Sequence, residues 1–147
     1  MYAQRHSYIP KIVLITGATG DFGKAFAHRF AALGSHLVIV GRNADKIAVL
    51  QKEITQDHGV AVHACVFDIT DKDAMAKAVE TLPEDFQNID LLINNAGLAL
   101  GLDPAYQCAI EDWETMVAVN NTALIRMTRL VLGGMAERKA GHIINIG

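Results

Sequence analysis

Three glycines at a spacing of three mark the part of this sequence that could bind an anion. Gly17, Gly20 and Gly23 lie in the stretch TGATGDFG, directly after the apolar run KIVLI at 11–15. A strand that turns tightly into a helix leaves backbone N–H groups at the helix N-terminus, where the helix dipole adds roughly half a positive charge. Glycines leave those amides accessible to a pyrophosphate. The alternative is that the glycines serve only turn formation and packing.

We expect each glycine of this loop to have its own role. Gly17 would make the turn, Gly20 would allow close approach of the pyrophosphate, and Gly23 would let the helix pack against the strand. The other residues of the predicted phosphate loop are Ala18, Thr19, Asp21 and Phe22. A carboxylate pointing at a pyrophosphate about 6 Å away would cost about 1–3 kcal/mol. At the first turn of a helix, Asp21 also gains about 0.3–1 kcal/mol from the helix dipole. We expect Asp21 to keep that gain and avoid the repulsion by facing solvent.

The end of the second apolar run distinguishes between two dinucleotide cofactors. A chain that prefers NAD usually has Asp or Glu about 20 residues beyond the glycines, where it binds the ribose 2′-hydroxyl. This chain has Gly41, Arg42 and Asn43 there. An arginine fork matches a 2′-phosphate, and no carboxylate repels it. The sequence therefore favours NADP over NAD, the alternative being that Arg42 is merely solvated in a loop.

Apolar runs alternate regularly with segments of helical spacing along the chain. The runs are KIVLI (11–15), HLVIV (36–40), VAVHACVF (60–67), IDLLIN (89–94) and HIINI (142–146). Strands this apolar, alternating with amphipathic helices, predict a parallel sheet covered on both faces. Right-handed crossovers then favour a doubly wound, Rossmann-type α/β fold with five strands in the order 3-2-1-4-5.

The helices are predicted from apolar spacing and from residues typical of helix ends. The predicted apolar faces are Phe22, Phe26, Phe30 and Leu33 in the first helix, Ile47, Leu50 and Ile54 in the second, and Met75, Val79 and Leu82 in the third. Gly34 would end the first helix, and Asn43 would cap the second. Thr70 with Asp73 resembles a capping box, with Asp in place of the usual Glu or Gln.

Composition and charge narrow the class of protein. With 147 residues, of which 51% are hydrophobic and 20% charged, the chain is expected to form one soluble globular domain. Its net charge of -3 provides no basic surface for nucleic acid or for an anionic membrane. No run approaches the ~18 apolar residues of a membrane helix, and the first ten residues lack the apolar core of a secretory signal. We therefore expect a cytoplasmic protein.

Neither the cysteines nor the histidines have the spacing of a metal site. Cys65 and Cys108 belong to no CxxC pair and are expected to be free thiols. Among the six histidines, the close pair is His58 and His63, on either side of a glycine. We therefore expect no bound metal.

Four motifs in chain order resemble the short-chain dehydrogenase/reductase family. They are TGATGDFG, DI at 68–69, NNAG at 94–97 and VNN at 119–121. Within the family, NNAGLALGLDP and EDWETMVAVNN look most like bacterial NADP-dependent dehydrogenases of 3-hydroxy acids such as serine or allo-threonine. The common family pattern TGxxxGxG would place glycine where this chain has Asp21, and the TGxxGxxG spacing is that of the extended branch.

The resemblance also implies roles for residues beyond the glycine loop. Asp68 would bind the adenine amino group, and Ile69 would flank the adenine ring. Asn95, Ala96 and Gly97 would line the cofactor with backbone atoms.

Asn120 lies on the apolar stripe of a predicted helix over 111–137. The stripe comprises Trp113, Met116, Val117, Leu124, Met127 and Val131. A buried amide without partners would cost about 1–3 kcal/mol, so Asn120 needs hydrogen bonds. One explanation is a bond to a carbonyl one turn earlier, whereas the resemblance implies a catalytic asparagine that holds a water in a proton relay.

The resemblance further implies a serine after the fifth strand and then a Tyr-x-x-x-Lys helix that supplies the proton. Neither of the two serines, Ser7 and Ser35, follows the fifth strand, and the residue four after Tyr106 is Ile110 and not lysine. We therefore expect residues 1–147 to be the N-terminal, cofactor-binding portion of an enzyme, with its C-terminal strands missing and no activity alone. Met127 and Val131 would then be partly bare, and the fifth strand would be an open edge.

The expected full-length enzyme acts on a small hydroxy acid or another secondary alcohol and is a homo-oligomer, either a dimer or a tetramer. The alternatives are a non-catalytic nucleotide-binding module or an inactive remnant. The TGxxGxxG spacing adds a third option, an extended-branch epimerase or redox sensor, against which NNAG argues.

Overall fold

Five parallel strands form one sheet in the order β3-β2-β1-β4-β5, in a computed structural model that describes residues 8–101 and 103–147. The strands are β1 (Ile12–Thr16), β2 (His36–Gly41), β3 (Val62–Val66), β4 (Leu91–Asn94) and β5 (His142–Asn145). All four strand pairings are parallel, so the predicted order and the doubly wound arrangement are confirmed. The prediction about a secretory signal falls mainly on residues 1–7, which lie outside the described residues.

Helices cover both faces of the sheet. They are α1 (Asp21–Ala32), α2 (Ala44–His58), α3 (Lys72–Glu80), α4 (Ile110–Val117) and α5 (Leu124–Arg138). A π-helical segment, Ala118–Ala123, joins α4 to α5, and single 3₁₀ turns lie at Glu84–Phe86 and Ala105–Gln107. None of the helices within residues 8–101 and 103–147 combines the length and the apolar character that a membrane-spanning helix requires.

Alternating side chains of β1 build two separate cores, one on each face. Ile12 and Leu14 pack in the core shared with α3 and α5, whereas Val13 and Ile15 pack in the core shared with α1 and α2. All five residues of β1 are buried. Burial on both faces explains why the strand sequence is continuously apolar instead of alternating.

The prediction of the apolar face of α1 was partly wrong. Phe22 is 71% exposed and Leu33 is 37% exposed, whereas the buried residues of the helix are Gly23, Ala27 and Ala31. Because α1 lies close to the sheet, small side chains fill the contact, and the larger Phe26 and Phe30 pack only partly buried beside it.

The predicted helix ends are confirmed for α1 and α2. Gly34 has a φ of 89°, its N–H donates to the Ala31 carbonyl, and the Ser35 N–H donates to the Phe30 carbonyl, which together form a Schellman motif. At the start of α2, the Asn43 side chain accepts a hydrogen bond from the Lys46 N–H at 2.9 Å.

The capping box predicted for α3 was wrong by one residue. Asp71 is the N-cap, and its Oδ1 accepts hydrogen bonds from the N–H groups of Asp73 and Ala74 at 3.1 and 3.0 Å. The Thr70 hydroxyl instead donates to Asp68 at 2.7 Å, so it is not available to cap the helix.

The predicted partly bare stripe over 111–137 was wrong for its C-terminal half, to which Met127 and Val131 belong. Met127 and Val131 are only 1% and 6% exposed, whereas Trp113 and Val117 are 45% and 56% exposed. The π-helical segment holds more residues per turn than an α-helix, so it rotates α5 relative to α4. The two halves of the predicted stripe therefore lie on different faces. β5 pairs with β4 at one edge of the sheet, as expected.

The two cysteines are free, and His58 pairs with a histidine other than the one nearest to it in sequence. Cys65 and Cys108 are free thiols, and burial raises the pKa of Cys65 to about 11. His58 lies beside His28 of α1, with Nε2 and Nδ1 3.2 Å apart, and not beside His63. Within the described ranges, no group of three or more metal-ligating side chains is found.

Candidate functional site

A cleft of about 380 Å³ lies at the carboxyl ends of β1, β2 and β4. The strand order reverses between β1 and β4, and open parallel sheets bind ligands at such a switch point. The predicted cofactor residues that line the cleft are Gly17, Thr19, Gly20, Asp21, Phe22, Arg42, Asp68, Ile69, Asn95, Ala96 and Gly97. Residues predicted from separate segments of the sequence thus meet in one place.

Gly17 makes the turn between β1 and α1. Its φ is +62°, in the left-handed region that side-chain-bearing residues disfavour, and a Cβ there would lie 2.8 Å from the Cα of Ala96. The turn and the chain after β4 are therefore in contact at a position where only glycine fits.

Gly20 and Gly23 differ in what surrounds them. Gly20 is the N-cap of α1, and a Cβ there would meet only the Gly17 carbonyl oxygen, at 3.5 Å, so the cleft side is open. A Cβ on Gly23 would lie 2.7 Å from the Cα of Ala18 and would overlap the Gly17 carbonyl oxygen. Gly23 therefore packs α1 against the loop itself, which refines the predicted contact with the strand.

Ala18, Gly23 and Asn43 are predicted cofactor residues that are not among those lining the cleft. Ala18 is fully buried, and its N–H donates to the Val40 carbonyl at 3.0 Å, so it ties the loop to β2. Asn43 caps α2. These three residues shape the cleft from behind its surface.

Thr16 and Asn95 hold the ends of β1 and β4 together. The Thr16 hydroxyl oxygen accepts hydrogen bonds from the N–H groups of Asn95 and Ala96, both at 3.0 Å. The Asn95 side-chain amide donates to the carbonyls of Thr16 and Gly17 at 3.2 and 3.0 Å. The side chain of Asn95 thus fixes the glycine turn, while its backbone lies beside the cleft.

Arg42 and Asp68 face each other across the end of the cleft near β2. Arg42 Nη1 lies 3.9 Å from Asp68 Oδ2, and the two side chains are 71% and 49% exposed. Asp68 Oδ1 accepts hydrogen bonds from the Thr70 hydroxyl at 2.7 Å and the Thr70 N–H at 2.9 Å. These two bonds lower the pKa of Asp68 most; burial opposes them by raising it, and the charge of Arg42 lowers it by the smallest amount.

Asn120 lies in the π-helical segment and contacts the chain that follows β4. Its Oδ1 accepts the Leu98 N–H at 2.9 Å, and its Nδ2 donates to the Leu98 carbonyl at 2.8 Å. The alternative of a bond to a carbonyl one turn earlier was therefore wrong. Asn120 also lines a second cleft, of about 510 Å³, which shares Ala96, Gly97 and Leu98 with the first.

Sequence reasoning missed several residues of the first cleft. Phe67, Leu98 and Val119 line it. Phe67 directly precedes the DI motif, Leu98 directly follows NNAG, and Val119, to which no role was assigned, is the first residue of VNN. Their position in or next to those motifs is the signal that could have found them.

Known proteins resemble this chain in both sequence and structure. A family model described as short chain dehydrogenase matches residues 11–147. The NADP-dependent 3-hydroxy acid dehydrogenase YdfG of Shigella flexneri is 44% identical over 136 residues, covering 92% of this chain and 53% of that protein. The serine 3-dehydrogenase of Agrobacterium fabrum is 46% identical over 134 residues, covering 91% of this chain and 52% of that protein.

A solved structure of similar fold contains a bound dinucleotide. The closed form of serine dehydrogenase complexed with NADP+ matches with a TM-score of 0.84 and 43% identity, covering 92% of this chain and 53% of that one. The chain thus spans about half the length of the curated relatives it matches.

Proposed function

The chain belongs to the short-chain dehydrogenase family, and on this premise we propose that its cleft binds NADP. Residues 1–147 would form one Rossmann-type domain, the cofactor-binding portion of an oxidoreductase. That enzyme would interconvert a small hydroxy acid, or another secondary alcohol, and its carbonyl compound. The identity to an NADP-dependent 3-hydroxy acid dehydrogenase and to a serine 3-dehydrogenase supports the substrate class.

The observation that carries the proposal is the position of the glycine turn. Gly17 has a positive φ, and its turn directs the first turn of α1 at the switch-point cleft. The first N–H groups of a helix have no intrahelical partner, so they are free to bind a pyrophosphate. Gly20 has no Cβ to separate that pyrophosphate from the amides.

The chemistry at the β2 end of the cleft supports NADP over NAD. Arg42 is largely exposed and carries the positive charge that a 2′-phosphate needs. The carboxylate of Asp68, which lies in this region beside Arg42, accepts two hydrogen bonds from Thr70. Asp68 and Ile69 would hold the adenine, and Ala96 and Gly97 would lie along the remainder of the cofactor.

NADPH, when bound, would supply the hydride that reduces a carbonyl. The second cleft, bounded in part by Asn120, would then receive the small substrate next to the shared residues Ala96 and Gly97. Protonation of the resulting alkoxide needs an acid that these residues do not supply. The serine and the Tyr-x-x-x-Lys expected from the resemblance would come from a segment beyond residue 147 in a longer protein.

A second function, a non-catalytic nucleotide-binding module, is favoured by one observation. None of the three tyrosines is followed four positions later by the lysine of a Tyr-x-x-x-Lys motif. The residues at those positions after Tyr2, Tyr8 and Tyr106 are His6, Ile12 and Ile110. Any measurable NADP-dependent turnover of a hydroxy acid by the 147-residue chain would exclude this second function. Cytoplasmic location and a homo-oligomeric full-length form stay predictions.

The cofactor proposal is tested by titrating the chain with NADPH and with NADH while following cofactor fluorescence. We expect tighter binding of NADPH, and loss of that preference in Arg42→Ala. Arg129→Ala is the matched control, because Arg129 is an exposed arginine of α5 that does not line the cleft. Equal affinities for the two cofactors in the unmodified chain would contradict the NADP assignment, and absence of binding would contradict the cofactor site itself.

A further inference from the structure

Asp21 places a negative charge at the point where the proposed function puts the cofactor's phosphates. It is the first residue of α1, directly after the N-cap Gly20, and it lines the same cleft as Gly17 and Arg42. The side chain is exposed. Exposure does not remove the residue from the cleft, because the cleft itself is open to solvent.

No cation of the described residues pairs with Asp21. In the part of the chain that the structure describes, the one ion pair within 4 Å joins Arg42 to Asp68 and does not include Asp21. The described residues also include no side chain that donates a hydrogen bond to Asp21. Its charge therefore acts on the cleft without local neutralisation by a partner.

The first-turn amides of α1 attract both the carboxylate and a pyrophosphate. Without a cofactor, Asp21 stabilises α1 because a negative charge is favourable at a helix N-terminus. When a pyrophosphate binds to the same end of the helix, the two anions repel each other. One side chain thus has opposite effects on the stability of the free chain and on cofactor affinity.

We propose that Asp21 is an affinity-determining residue that weakens binding of pyrophosphate-containing cofactors to this cleft. This inference rests on the proposed function, since it requires that the cleft bind a dinucleotide. It adds that the affinity of the cleft is below what its glycine loop alone would provide. The charge of Asp21, and not its size, is the cause.

Two variants separate charge from size, and two ligands separate the pyrophosphate from the rest of the cofactor. Asp21→Asn keeps the size and removes the charge, whereas Asp21→Gly removes both. NADP+ contains the pyrophosphate, and adenosine 2′-monophosphate contains only the adenosine and the 2′-phosphate. Asp73→Asn is the matched control, because Asp73 lies in the first turn of α3 and does not line the cleft.

We expect Asp21→Asn to bind NADP+ about tenfold more tightly than the unmodified chain, as removal of a unit charge a few ångströms away implies. Adenosine 2′-monophosphate should bind both proteins within twofold of each other. The gain in affinity should shrink as the salt concentration rises from about 0.05 M to about 0.5 M, because the Debye length falls below 10 Å within that range. In the absence of ligand, the variant should melt at a slightly lower temperature than the unmodified chain.

Isothermal titration calorimetry measures the affinities, and differential scanning calorimetry measures the melting. Unchanged or weaker NADP+ binding by Asp21→Asn, with adenosine 2′-monophosphate still bound, would overturn the role of Asp21 and leave the cofactor site standing. A tenfold gain in Asp73→Asn as well would overturn it too. If neither ligand bound any variant, the proposed function would fail, and the inference with it.

Discussion

Asn120 and Leu98 form a two-point contact between the π-helical segment and the chain that follows β4. Oδ1 of Asn120 accepts the Leu98 N–H at 2.9 Å, and Nδ2 donates to the Leu98 carbonyl at 2.8 Å. A side-chain amide can match the donor and acceptor of one residue's backbone in this way, as a neighbouring strand would. The contact fixes the wall that the two clefts share, so it positions the candidate cofactor and substrate sites relative to each other.

Replacement of Asn120 should loosen that wall. We expect Asn120→Ala to lower the free energy of unfolding by about 1–3 kcal/mol, because the N–H and carbonyl of Leu98 lose half-buried partners. Chemical denaturation measures the loss, and amide hydrogen exchange should be faster at Leu98. The control is Asn121→Ala, at an exposed neighbouring position. Equal stability and exchange in the two variants would show that the contact contributes nothing.

Two glycine substitutions should have opposite effects on stability. Gly17→Ala should destabilise the chain by at least about 1 kcal/mol, because alanine disfavours a φ of +62° and its Cβ would lie 2.8 Å from Ala96. Gly133→Ala, inside α5 with nothing within 4 Å of its Cβ position, should stabilise by about 0.4–1 kcal/mol. Thermal melting of both variants checks the signs, and a neutral Gly17→Ala would contradict the proposed turn.

Loss of the Thr16 hydroxyl should separate β1 from β4 at the cleft. Thr16→Val keeps the shape but removes the oxygen that accepts the N–H groups of Asn95 and Ala96. We expect a loss of about 1–3 kcal/mol, since Thr16 is buried and the two donors lose their partner. Urea unfolding measures it. Thr16→Ser retains the oxygen and should recover most of the stability; no difference between serine and valine would count against the hydroxyl's role.

Acid should weaken the Asp68 contacts. The pKa of Asp68 is lowered in the folded chain, chiefly by the Thr70 hydroxyl, so its contribution to stability is present above the unfolded value of about 3.9. That contribution is lost as the pH falls through the folded pKa. Because Asp68 is half exposed, solvent screening keeps the effect small.

The variant that tests this pH dependence is Thr70→Val, which removes the largest cause of the lowered pKa. Melting temperatures measured between about pH 6 and pH 2.5, on either side of the unfolded value, should fall less steeply for Thr70→Val than for the unmodified chain. A parallel pair of curves would mean that the Thr70 hydroxyl does not set the pKa of Asp68.

Local sequence signals predicted the features that depend on local physics. The strand order follows from alternating runs, the conformation of Gly17 follows from its place after β1, and the cap at Asn43 follows from residues three apart. The alternation of runs, the turn and the cap each depend on residues that are adjacent along the chain or repeat at a fixed spacing, and the rule of right-handed crossovers leads from the alternation to the strand order.

Non-local contacts explain what the sequence did not predict. The buried residues of α1 are small because the helix lies close to the sheet. The spacing of apolar residues along the sequence does not encode that distance. The π-helical segment rotates α5 and buries Met127 and Val131, although an uninterrupted helix would continue the stripe from Trp113. Asn120 takes its partner, Leu98, from 22 residues away, so periodicity could not identify it.

A crystal structure of the chain grown with excess NADP+ would show directly whether the cleft holds the dinucleotide. We expect the pyrophosphate within hydrogen-bonding distance of the N–H groups in the first turn of α1, above Gly20, and the 2′-phosphate beside Arg42. A dinucleotide bound elsewhere on the protein, or a cleft still empty at saturating NADP+, would contradict that expectation.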